Sequence, residues 1–194
     1  MQDCQALELQ WPRPEVARRF APGEPGVLYF DANSIGPMPV DAPARMHAVL
    51  QQGWALARRR AWGELDWLDQ PRSLAAQLAH LIGAEPADVA LADTTSINQY
   101  KLLRYALTLR PERPVVLMEK AVFPSNRYVA EGLQTAGLAE LRLIDDASDL
   151  EAALGPGDVA VASFSHVDYR SSARLDMAAI NAQVPGHGAL SLWD

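Results

Sequence analysis

The sequence predicts an α/β protein built on a parallel β-sheet, and three observations carry that prediction. From residue 87 onward, short apolar strands alternate with single helices. Strands separated by one helix each imply parallel βαβ units with right-handed crossovers. Polar clusters recur where those strands end, the edge of an α/β sheet at which ligands sit. Composition agrees: of 194 residues, 49% are apolar and 21% charged, which is globular.

An arm containing Pro12, Pro14, Pro22 and Pro25 comes first, and Val27-Leu-Tyr-Phe30 reads as a short strand. That strand runs into a glycine-bearing turn, Asp31 to Gly36, closed by Pro37 and Pro39. Residues 41–60 place Met46, Val49, Leu50, Trp54 and Leu56 at helical spacing. A second helix over 71–82 carries Leu74, Leu78, Leu81 and Ile82 on one face and ends at Gly83. Val89-Ala-Leu91 is a predicted strand, followed by a helix from Ile97 to about Leu109. Pro114–Met118 (strand) and Ser125–Thr135 (helix) come next, then strands at 140–144 and 158–164. A helix near 176–183 and a terminal strand, Gly188 to Asp194, complete the order. The break near residue 85 defines two regions: 1–85, an arm and helical segment, and 86–194, the first part of an α/β domain. Ending on a strand-end carboxylate, Asp194, the sequence predicts a domain whose site is incomplete within it.

Several function classes are disfavoured. A net charge of −7 argues against nucleic acid as a main partner. The basic run Arg58-Arg59-Arg60 ends a predicted helix, where it complements the dipole or pairs locally. Cys4 is alone, so the expectation is a reducing cytoplasm without disulfides. The four histidines, His47, His80, His166 and His187, have no zinc-ligand spacing. No apolar run is long enough to span a bilayer, and the first residues carry no signal-peptide pattern.

Four polar clusters carry the chemistry. Asp93-Thr-Thr-Ser-Ile-Asn98 opens a helix, where hydroxyls and first-turn amides suit an anion as well as plain capping. Lys120-Ala-Val-Phe-Pro-Ser-Asn126 follows a strand and places Phe123 either over a flat ligand or in the core. Ser163-Phe-Ser-His-Val-Asp-Tyr-Arg170 ends the next strand, and Asp194 ends the last. An anion cup, an aromatic plate and a carboxylate together suit a planar phosphorylated heterocycle such as pyridoxal 5'-phosphate. No Gly-x-Gly-x-x-Gly or Gly-Lys-[Ser/Thr] motif points to a nucleotide instead.

Six segments, in order, resemble the kynureninase family. They are Tyr29 to Pro39, Asp93 to Asn98, Phe123 to Asn126, Ser165 to Tyr169, Asp176 to Ile180, and Trp193-Asp194. The resemblance implies the aspartate aminotransferase-like fold type I of pyridoxal-phosphate enzymes, here as the N-terminal part of the large-domain sheet. It implies hydrolysis of L-kynurenine, or 3-hydroxykynurenine, to anthranilate, or 3-hydroxyanthranilate, and L-alanine in tryptophan catabolism. By resemblance, Thr95 and Ser96 hold the cofactor phosphate and Phe123 stacks on the pyridine, within Phe123-Pro124-Ser125-Asn126. Ser165 contacts the cofactor, and Asp194 binds the ring nitrogen, keeping it protonated as an electron sink. Asn33, Ser34 and Trp62 match substrate-pocket positions. A homodimer is implied, because such sites are built at a subunit interface.

The family's Schiff-base lysine has no counterpart: the only lysines are Lys101 and Lys120, and neither matches it. This chain by itself is therefore expected to be inactive. Asn126 stands where many family members have Asp, which removes a charge. Ser171-Ser172 stand where the family has Thr/Ser-Gly, which removes the glycine of a turn. The alternatives are another fold type I enzyme of cysteine-desulfurase type, or a non-catalytic remnant that pairs through its sheet edge.

Overall fold

The computed structural model describes residues 14–194, so Cys4 and Pro12 lie outside the described residues. The chain divides into two compact units, Met1–Leu91 and Ala92–Asp194.

The described part of the first unit is helical. A short α1 (Pro14–Ala17) precedes a turn-rich stretch, and then a nearly continuous helical run begins at α2 (Ala42–Ala48). The run widens into a π-helical segment over Val49–Ala57, tightens to 3₁₀ at Arg58–Arg60, and closes with α3 (Ala61–Glu64). The helix expected over 41–60 is thus present, but its middle is over-wide rather than α. Gly53 sits in the wide part, and a Cβ there would overlap the Trp67 ring. Arg60 pairs with Glu64 one turn on, at 2.9 Å, the local salt bridge expected of the basic run. α4 (Gln70–Ile82) ends at Gly83, whose left-handed φ of 70° is the C-cap the sequence predicted.

Two strand expectations are corrected here. Val27–Phe30 is irregular chain, with Leu28 and Phe30 83% and 91% exposed. Val89–Leu91 is also irregular. Apolar and β-branched residues favour a strand only where a neighbouring strand accepts their ladder, and neither segment has one among the described residues.

The second unit is an α/β layer structure. α5 (Thr95–Leu109) leads to β1 (Val115–Glu119), α6 (Pro124–Thr135) and β2 (Glu140–Ile144). A short α7 (Leu150–Leu154), absent from the sequence expectation, crosses to β3 (Val159–Phe164). α8 (Met177–Gln183) then leads to β4 (Leu190–Trp193). The four strands are all parallel in the order β2-β1-β3-β4. The order reverses at β1 and β3, which makes their C-terminal ends a topological switch point.

The strand faces explain this layering. Leu103, Leu107, Ala130 and Leu133 of α5 and α6 pack on Val116, Met118 and Val161. On the opposite face, Leu150 and Leu154 of α7, with Ile180 and Val184 near α8, pack on Leu117, Ala162 and Phe164. β1 and β3 are buried on both sides, so they read as continuous apolar runs rather than alternating ones. No helix among the described residues is long and apolar enough to cross a membrane.

Candidate functional site

The site begins with the ladder. Phe164 pairs with Trp193, and the Asp194 amide donates to the Phe164 carbonyl at 2.9 Å, extending β4 by one residue. The His166 amide in turn donates to the Asp194 carbonyl at 2.9 Å. Side chains alternate along a strand, so Ser163, Ser165 and Asp194 belong to the α5/α6 face, above the apolar cluster that holds those helices.

From that face, α6 supplies Asn126, which is 1% exposed. Its Nδ2 donates to Asp194 Oδ2 at 2.7 Å, a charge-assisted bond that holds the carboxylate at the strand end. Two buried atoms beside this pair, Asn126 Oδ1 and Ser165 Oγ, have no hydrogen-bond partner among the described residues. Native interiors rarely leave such atoms unpaired, and each costs about 1–3 kcal/mol.

Phe123, three residues before Asn126, is the N-cap residue of α6, with Pro124 at the first helical position. It is 46% exposed and meets the Tyr169 ring edge-on, with centroids 5.0 Å apart. The Arg170 guanidinium lies over the Tyr169 ring, 5.3 Å from its centroid. Ser125 is half-buried in the first turn of α6 and makes no cap bond.

The Asp93–Asn98 segment leads into α5, and the structure shows the capping that its residue types favour. Thr94 caps α5, its hydroxyl accepting from the Ile97 amide at 3.4 Å. The Thr95 and Ser96 amides belong to the first helical turn, which has no intrahelical acceptors for them. Asn98 Nδ2 ties the turn back to the Ala92 carbonyl at 2.9 Å, and Lys101 pairs with Asp93. The other lysine, Lys120, pairs with Asp145 at 2.7 Å.

The loop after β3 shows how the missing glycine is replaced. Ser172 adopts φ 59°, the left-handed conformation a glycine would take without strain. Asp168 holds the turn: its Oδ1 accepts from the Arg170 and Ser171 amides at 3.0 and 2.7 Å and from the Ser171 hydroxyl at 2.8 Å. These Ser171 donors, with Arg170 adding less, hold the Asp168 carboxyl below the usual range. Glu119, at the end of β1, is pushed the other way, by burial first and then by Asp146 and Asp168.

The structure therefore joins Asn126 to Asp194 and puts Ser165 on the same face of the sheet, with Phe123 three residues before Asn126 on α6 and the Thr95–Ser96 turn on the neighbouring helix. Asn33, Ser34 and Trp62 belong to the first unit. Asn33 and Ser34 occupy an exposed turn in which the Ser34 hydroxyl donates to Asp31 Oδ1 at 2.8 Å. The Tyr29 hydroxyl lies 2.8 Å from both the Asp31 and Ile35 carbonyls of that turn, and Trp62 is exposed on α3. Sequence reasoning passed over Gln99 and gave no separate role to Ser163 within its polar cluster, yet the two are a buried pair joined at 2.9 Å. Their signal was a polar residue at helical spacing with Leu103, Ala106 and Leu107, and another inside the apolar β3 run.

No protein-family model matches the chain. Among solved structures, it is similar to a lysine-to-alanine mutant of C-DES with glycine covalently linked to its pyridoxal-phosphate cofactor. The TM-score is 0.68 at 18% identity, over 91% of this chain and 47% of that one. The complex of C-DES, a cystine C–S lyase, with its product cysteine persulfide gives 0.63 at 18% identity, over 85% and 45%. The fold is that of the fold type I pyridoxal-phosphate enzymes.

In sequence, the chain is similar to kynureninases. It is 40% identical over 200 residues to that of Pseudomonas fluorescens, covering 99% of this chain and 47% of that protein. The kynureninase of Burkholderia pseudomallei (strain 1106a) is 40% identical over 199 residues, covering 100% and 47%. The chain thus spans about half the length of the curated relatives it matches.

Proposed function

We propose that this chain forms the cofactor cradle of a kynureninase-type pyridoxal-phosphate hydrolase, which converts L-kynurenine to anthranilate and L-alanine. One observation carries the reading: a strand-end carboxylate, Asp194, pinned by buried Asn126 beside two orphaned polar atoms. Pyridoxal phosphate fits these residues by its chemistry. The first turn of α5, with the Thr95 and Ser96 hydroxyls and amides, suits a phosphate dianion. Phe123 suits one face of a flat ring, Ser165 Oγ awaits a polar partner, and Asp194 suits a protonated ring nitrogen. Bound there, the protonated ring supplies an electron sink for negative charge developing at the substrate α-carbon.

Each residue then has a defined task. Asn126 keeps the Asp194 carboxylate facing the site, and Asp194 holds the proton on the ring nitrogen. The α5 turn would hold the phosphate, and Phe123 would cover the ring and exclude water on its side. Asn33, Ser34 and Trp62 serve the substrate, in a homodimer. Neither Lys101, paired with Asp93, nor Lys120, paired with Asp145, matches the family's Schiff-base lysine, so residues 1–194 alone are expected not to turn over.

The test is to titrate the purified protein with pyridoxal phosphate, follow the cofactor absorbance, and assay anthranilate release. Residues 1–194 should bind the cofactor and show no turnover, whereas the complete open reading frame should release anthranilate. A folded protein without any cofactor signal would sink the reading, and release of sulfide rather than anthranilate would favour a desulfurase-type activity.

A further inference from the structure

The geometry points to Gln99 as a positioning residue that sets the anion cup against the sheet through Ser163, an inference that rests on the phosphate role proposed for α5. Gln99 is 4% exposed and Ser163 2% exposed, and Gln99 Nε2 donates to Ser163 Oγ at 2.9 Å. Ser163 lies in the middle of the sheet, opposite Met118 on β1 and Leu192 on β4. Its surroundings are apolar: Leu103, Leu107, Met118 and Val161 fill the same face.

Packing alone does not call for a polar pair there. An amide and a hydroxyl must be desolvated to meet, and apolar residues of the same shape would serve the core about as well. What the pair adds is direction. Leu103, Ala106 and Leu107 hold α5 to the sheet by contacts that tolerate sliding and rotation. The Gln99–Ser163 bond fixes one turn of α5 at one point along β3. Gln99 lies one helical turn beyond Thr95, and Ser163 lies two residues before Ser165 on the same face. The bond therefore spans from the phosphate end of the cradle to the strand that carries its ring end. Displacements of about 1 Å in such constellations cost orders of magnitude in function.

The experiment compares wild type, Gln99→Leu, Ser163→Ala and the double variant in the complete protein. Affinities for pyridoxal phosphate, inorganic phosphate and pyridoxal are measured by titration, with thermal stability and hydrogen exchange at the first turn of α5. Gln99→Leu should weaken pyridoxal phosphate and inorganic phosphate alike, by about tenfold, and leave pyridoxal unchanged. The double variant should regain thermal stability without regaining phosphate affinity, which a purely structural role would not produce. Wild-type phosphate affinity in the double variant, or equal loss for pyridoxal and its phosphate, would overturn the inference. Should Gln99→Leu not fold, Ser163→Ala removes the same bond with a smaller change and must give the same loss. If wild type binds neither phosphate ligand, the proposed function fails, and the tie is judged by exchange in α5. Faster exchange of its first turn in the variants supports the tie, and unchanged protection overturns it.

Discussion

The two units use similar residues to different ends. In Ala92–Asp194, large apolar side chains are buried on both faces of the sheet, with Leu103, Leu117, Met118, Leu133, Leu154 and Phe164 inaccessible. In the described part of the first unit, the fully buried positions are small, namely Gly53, Ala61, Ala75 and Ala79. Its large apolar groups stand outside: Trp54 is 71%, Leu81 77% and Phe30 91% exposed. A parallel sheet buries strands from two sides and gives each helix a flat surface to cover. Among the described residues, the helices of the first unit have no sheet to cover, and the side chains they bury are alanines.

Core truncation should separate the units most clearly. Leu117→Ala removes a side chain at the centre of β1 and should cost about 2–5 kcal/mol in urea unfolding. Leu81→Ala, on an exposed face of α4, should change stability by less than about 0.5 kcal/mol. Equal costs at the two positions would break the contrast.

Glycine substitution sharpens it at the next level. Gly188, before β4, has φ +75°, and a Cβ there would come 2.5 Å from the Arg113 guanidinium. That guanidinium is not free to swing aside, because Nη1 donates to the His187 carbonyl at 2.6 Å. Gly188→Ala combines positive-φ strain with overpacking and should cost about 2–4 kcal/mol. Gly53→Ala meets the Trp67 ring and should cost about 1–3 kcal/mol with a change in Trp fluorescence. Thermal melts of the two variants test the ranking.

The smallest effects concern the loop after β3. Ser172→Gly relieves a left-handed serine and should stabilise the second unit by about 1 kcal/mol, read by denaturant midpoint. Asp168 titrates below its ordinary range, so its support of the turn is present above the unfolded pKa. It is lost as pH falls through the folded value. Glu119 opposes this, since its raised pKa lets the folded state take up a proton first and gain stability as pH falls. Glu119→Gln, a mimic of the protonated acid, should therefore raise stability near neutral pH and abolish the gain on acidification, and Asp168→Asn should flatten the acid loss. Equilibrium unfolding as a function of pH checks both signs.

Much of the second unit was legible in the sequence because its information is local. Runs such as Val115–Met118 and Val159–Phe164, and helices ending at Thr135 and Gln183, carry their own periodicity and punctuation. α7 escaped because five residues hold little more than one turn, too few to show a period. Val27–Phe30 and Val89–Leu91 were misread because strand residues form a strand only when another strand is present to pair with them. The turn lacking its glycine was legible as a departure, but its solution was not. Asp168 and Ser171 hold a conformation that Ser172 alone disfavours.

By itself, the sequence determined the parallel α/β order, the carriers of the kynureninase resemblance, and the placing of polar groups at strand ends. Local patterns suffice for these, because side-chain period and helix capping act within a few residues. Only the tertiary structure decided which polar groups meet. Asn126 and Asp194 are 68 residues apart and Gln99 and Ser163 are 64 apart, yet each pair shares a hydrogen bond. Those partnerships depend on the strand order and on which face each helix covers, and both are settled by packing the whole sheet at once.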